Sequence, residues 1–250
     1  MKAVSSQSRI ASATAEIHPD SMLETLITPD EIERDRRPEE FVIWFEDFLE
    51  KTRGDRSLRD QILLRRGIAK PVYEEVFPLY RLLSQKRAAW HGRKFQNVLG
   101  SQPYDVIVTH ANGSHSFIEI TTADVDQAEA MRMEVFAAQG RVPAAAPVTW
   151  SGTKRTGRRV EISEDMQLHS GLVEKKRAQI IAAVERKCQK TPVADSALIV
   201  YFDDYVCFAD EADMPVMRQV LNVVRPAWQP RFRALYVVGA SGKRLWEEEL

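Results

Sequence analysis

The chain has 250 residues, 44% of them hydrophobic and 28% charged, an ordinary globular balance that excludes a disordered or fibrous protein. A formal net charge of -1 supplies no global field for nucleic acid or a membrane surface, so an anionic partner has to be met by a local patch. Its two cysteines, Cys188 and Cys207, form no CxxC-type pair, which argues against a disulfide framework or a structural zinc site and fits a reducing cytoplasm.

Residues 1–20, rich in Ser and Ala without a continuous apolar stretch, read as a disordered lead-in rather than a secretory signal. No run approaches the roughly 18 apolar residues of a membrane span, so no membrane partner is expected. Residues 21–70 read as a helical N-terminal segment, placed to cap the core or to mediate contact with a second copy or a protein partner. Within it, Thr28-Pro29-Asp30-Glu31 supplies a capping hydroxyl, a Pro at the first helical position and acids in the first turn. Phe41, Trp44, Phe45 and Phe48 follow at helical spacing over 39–51 and need a surface to bury against. Five arginines between Arg53 and Arg66 surround Ile62-Leu63-Leu64, a further helix expected to stop at Gly67.

Residues 71–250 read as an α/β core. A long helix opens it, with Val72, Val76, Leu79, Tyr80, Leu83 and Trp90 near one stripe and a kink at Pro78. Two β-branched runs, 104–109 and 116–122, flank His110 to His115, where Asn112-Gly113 signals a hairpin. Next come a helix over 124–139 and a basic hairpin arm at 141–162. A helix over 171–190, the strand 197–202, a helix over 211–224 and the strand 232–238 complete the chain. The last two strands are almost wholly apolar and follow helices, so they belong in the centre of a mixed sheet covered on both faces, a three-layer arrangement.

Asp105 stands at the start of one hairpin strand and Glu119 in the middle of the next, so two carboxylates can converge. An acid inside an apolar strand is costly unless it is paired, hydrogen-bonded or bound to a cation, which makes Glu119 the most unusual single residue of the chain. Mg2+, or Mn2+ in its place, takes hard oxygen ligands, and two carboxylates with a backbone carbonyl suit it. His110 and His115 flank the Asn-Gly turn and read as exposed turn residues rather than ligands. Arg141, Lys154, Arg155, Arg158 and Arg159 concentrate positive charge on the arm, either as a solvated tip or as contacts to the phosphates of DNA or RNA. Trp150 beside them either stacks on a base or packs the base of the hairpin.

Asp105, then Glu119-Ile120-Thr121, then a helix and a strand, resembles the PD-(D/E)xK, or restriction-endonuclease-like, nuclease superfamily over about residues 73–205. The resemblance implies that fold and metal-dependent cleavage of phosphodiester bonds. It implies that Asp105 and Glu119 hold the metal with the carbonyl of Ile120, and that Glu75 on the first core helix assists. It also implies a lysine two residues after Glu119, where this chain has Thr121. Some members bring that lysine from the following helix, and Lys187, three residues after Val184 and seven after Ile180, stands where it can do so. Arg177 and Gln179 are further polar candidates on that helix. Two other readings compete: a nuclease-derived fold that has lost catalysis and binds or assembles, and an interaction scaffold whose aromatic helix 41–48 docks a partner and therefore leaves an exposed apolar patch.

Overall fold

The computed structural model describes residues 22–124, 127–142, 147–152, 159–163, 168–208 and 211–250. The N-terminal lead-in lies outside the described residues.

Short helices α1 (Met22–Leu26) and α2 (Pro29–Glu33) come first, the second capped by Thr28, whose Oγ1 accepts the Glu31 N–H at 3.2 Å. Helix α3 (Pro38–Arg53) starts where Glu40 reaches back to the Arg37 N–H, and α4 (Arg56–Leu63) starts at Asp55, which accepts from Ser57 and Leu58. The expected long helix is segmented. It runs as α5 (Ala69–Pro71), a π-helical turn (Val72–Val76), α6 (Phe77–Lys86) and a 3-10 turn (Arg87–Trp90). Pro78 explains the widening: it has no N–H for the carbonyl four residues back, and Phe77 N–H donates instead to Val72, five residues back.

Strands β1 (Lys94–Asn97), β2 (Val106–Thr109) and β3 (His115–Thr122) form an antiparallel meander. The turn between β2 and β3 is held by Asn112, which accepts from Ser114, and by Gly113 at φ +81. Helix α7 (Gln127–Gln139) and a separate ribbon of β4 (Val148–Ser151) with β5 (Arg159–Ile162) lead into α8 (His169–Cys188). Then β6 (Ser196–Phe202) pairs parallel to β3, α9 (Met214–Trp228) crosses, β7 (Ala234–Gly239) pairs parallel to β6, and β8 (Leu245–Glu249) returns antiparallel. The sheet order β1-β2-β3-β6-β7-β8 puts β6 and β7 inside, with every β6 and β7 side chain buried. The protein is thus a mixed α/β fold. The strands β1 and β8 go beyond the sequence reading.

Alternation along the strands sorts the core into two layers. Ile118, Ile120, Ala197, Ile199 and Tyr236 face the N-terminal helices, where Phe41, Phe45, Val76 and Leu79 are fully buried. Leu198, Val200, Phe202, Leu235 and Val237 face α8 and α9, against Ile180, Val184, Val220 and Trp228. The aromatic face of α3 is spent on this core: Phe45 packs on Phe48, Phe77 and Tyr80, and Ile43 is the large apolar side chain of that helix left mostly exposed. The exposed patch that a docking helix requires is not seen on it.

Candidate active site

Strand β3 outruns its neighbour, because β2 begins at Val106 opposite Ile118 while β3 continues to Thr122. The N–H and C=O of one strand residue point to the same edge, so Ile118, Ile120 and Thr122 turn theirs toward the β2 side, and Phe117 and Ala123 donate toward the β6 side. Asp105 stands at the corner. Its N–H donates to Ile118 O at 2.9 Å, its C=O accepts from Val98 at 2.9 Å, and its Oδ2 accepts the Ile120 N–H at 2.5 Å. A side chain thereby continues the ladder that the strand has left, beside the edge to which the Ile120 carbonyl also turns.

Glu119 points the other way from Ile118 and Ile120, into the layer of α8, and is 4% exposed. Helix α8 seats Ile180 and Val184 in that layer, and the same face carries Lys187 to the acids. Its Nζ lies 3.4 Å from Glu119 Oε2 and 3.8 Å from Asp105 Oδ2. Burial pushes the carboxyl groups of both acids up, against the pull of Lys187 on each and of the Ile120 N–H on Asp105. Glu75, on the π-helical turn, is pushed up to about 7, by burial first and then by the charges of Asp105 and Glu74. Its Oε2 is buried without a hydrogen-bond partner.

The structure therefore brings Asp105, Glu119 and Lys187 together with Glu75 in electrostatic reach, and Lys190 and Lys70 act on these acids from beyond ion-pair distance. No three His, Cys, Asp or Glu side chains converge as a ready-made metal group among the described residues. The donors at hand are two carboxylates and an edge carbonyl, hard oxygens of the kind Mg2+ takes while keeping several waters, so their chemistry suits such an ion.

Other candidates lie elsewhere. Arg177 pairs with Glu174 at 3.0 Å and is ten residues from Lys187, roughly 15 Å along the helix. Gln179 lines a separate cleft of about 320 Å3 with Asp124, Glu129, Lys176, Asp203 and Cys207. Within that cleft Asp124 is buried, takes the Lys176 ammonium and accepts the Asp203 N–H, tying the ends of β3 and β6 together. His110 bonds Ser116 at 2.8 Å and His115 bonds Thr109 at 3.2 Å, as turn residues do. On the arm, Arg141 is exposed, Arg159 pairs its backbone with Ser151, and Trp150 is 36% exposed; Lys154, Arg155 and Arg158 lie outside the described residues. Arg186 was not foreseen: its Nη2 donates to Thr121 Oγ1 at 3.1 Å and to Thr122 O at 3.5 Å. Its position next to Lys187 was the available signal.

Cys188 and Cys207 are free and buried, and no helix among the described residues is long and apolar enough to cross a membrane. Comparison of the chain with protein-family models, with curated proteins and with solved structures finds no match.

Proposed function

We propose that the protein is a metal-dependent nuclease of the restriction-endonuclease-like kind, hydrolysing phosphodiester bonds of DNA or RNA. The observation that carries this reading is the position of Lys187, from the helix after the hairpin, within 4 Å of both Asp105 and Glu119. Support also comes from the order of parts: a helix bearing Glu75, strands bearing Asp105 and Glu119, a helix bearing Lys187, then a strand parallel to the Glu119 strand.

In this reading Asp105, Glu119 and the Ile120 carbonyl hold Mg2+ or Mn2+, which when bound supplies Lewis-acid stabilisation of phosphate charge and makes a water more acidic. The Lys187 ammonium donates to the attacking water and orients it. Glu75, titrating near neutrality with a bare oxygen, can accept the proton that leaves this water as its oxygen bonds to phosphorus. The P–O bond to the leaving group breaks, and that oxygen is protonated from solvent.

The second reading, a nuclease-derived fold that binds without cutting, is favoured by Thr121, which occupies the lysine position and is engaged by Arg186. Incubation of the purified protein with labelled single- and double-stranded DNA and RNA in Mg2+, Mn2+ or EDTA, beside Asp105→Ala and Glu119→Ala, separates the two. The nuclease reading expects metal-dependent cleavage that each substitution lowers by at least a hundredfold. Intact substrate under every condition, with folded variants that bind metal as well as the parent does, overturns it.

A further inference from the structure

We infer that Arg186 is a phosphate-binding residue of this site, a substrate-positioning cation for the nucleic-acid backbone; this rests on the nuclease reading for the identity of its ligand. The open edge of β3 begins where β2 stops, and two side chains fill it. The Asp105 carboxylate takes the Ile120 N–H, and Arg186 takes the Thr122 carbonyl two residues on, a displacement of roughly 7 Å along the strand. The acid-lysine cluster and this guanidinium therefore share one short gap in the sheet.

Arg186 is exposed, and among the described residues no carboxylate lies within ion-pair distance of it. Both of its hydrogen bonds use Nη2, so the N–H groups of Nε and Nη1 remain for a ligand. The contacts to Thr121 and Thr122 fix the plane of the fork. With Nη2 engaged, Nε–H and the Nη1 N–H groups face different sides of the guanidinium, and each offers a single charge-assisted donor to a phosphate oxygen. Consecutive residues of α8 thus divide the work: Lys187 serves the acids, and Arg186 faces outward beside them. Thr121, whose hydroxyl carries no charge, instead accepts from a cation.

The test is fluorescence anisotropy of the full chain with fluorescein-labelled single-stranded and duplex oligonucleotides, in EDTA so that nothing is cut, at several salt concentrations. Arg186→Gln, Arg186→Lys and Arg177→Gln are compared with the parent, the last as a paired arginine of the same helix. Arg186→Gln is expected to weaken binding roughly tenfold and to reduce the salt slope by about one, with Arg186→Lys between and Arg177→Gln like the parent. A purely structural role would lower the melting temperature and leave the salt slope unchanged, which overturns the inference. It is also overturned if the parent binds no oligonucleotide, or if Arg186→Gln binds as the parent does. Should Arg186→Gln fail to fold, the Arg186→Lys comparison decides. A parent that binds but does not cut sinks the nuclease reading alone, and the Arg186 comparison still stands.

Discussion

Glu75 concentrates the conflict of the site in one side chain: a buried oxygen without a partner, on a carboxyl that burial and Asp105 push up to about 7. The ordinary value is 4.5, so the folded protein holds this proton more tightly than the unfolded chain. Below pH 4.5 both forms carry it and the fold has its full stability from this group; as pH rises from 4.5 through 7 the unfolded chain releases the proton while the folded form keeps it, and stability falls. In metal-free buffer, urea unfolding of the parent and of Glu75→Gln at pH 4.5 and pH 8 should show the parent losing about 1–3 kcal/mol more across that window. Equal losses in the two proteins would place Glu75 in ordinary solvent.

At the scale of elements, the helix that carries Glu75 is held by the aromatic layer beneath it. Phe45 of α3 is fully buried against Phe77 and Tyr80 of α6, so Phe45→Ala opens a cavity at the joint between the N-terminal helices and the sheet. It should cost about 3–5 kcal/mol in a thermal or denaturant melt, whereas Ile43→Ala on the exposed side of the same helix should cost under about 1 kcal/mol. Similar small costs for both would mean that α3 is a detachable appendage. The periodicity of Phe41, Phe45 and Phe48 made this helix legible in the sequence, as the apolar runs made β3, β6 and β7. The acids were legible too, because Glu119 breaks an apolar strand, and Lys187 because it sits beside the Ile180-Val184 stripe. Other parts had no local signal. Strand β1 reads Lys-Phe-Gln-Asn and exists through its pairing with β2 and a bridge from Arg36, and the π-helical turn depends on a ladder that Pro78 interrupts two residues later. Arg186 binds a strand edge exposed only because a neighbouring strand starts late, and the Asp124-Lys176 contact spans 52 residues.

Across the whole molecule, two apolar layers grip one sheet, and chain from Leu23 onward contributes to the layer opposite α8. The two edges of the sheet are finished differently. At one, Arg36 bonds Phe95 of β1 through both backbone groups, with N–H···O distances of 2.9 and 2.8 Å. At the other, β8 carries Glu247, Glu248 and Glu249 in succession, engaged by Lys86, by Arg225 and by the Tyr236 hydroxyl. Its outer backbone groups are a row of donors and acceptors that a strand from another molecule can copy, and charged side chains along such an edge disfavour that approach even where Lys86 and Arg225 partly offset Glu247 and Glu248. Glu247→Thr with Glu249→Val lowers the charge of that edge while raising strand propensity. The double variant is expected to self-associate more than the parent in light scattering on concentration, with turbidity growing on storage. A variant that stays as dispersed as the parent would leave the acids with no protective part. Greater association of the variant would make the three glutamates of β8 a guard against fibril growth, set on the strand that a longer sheet would otherwise start from.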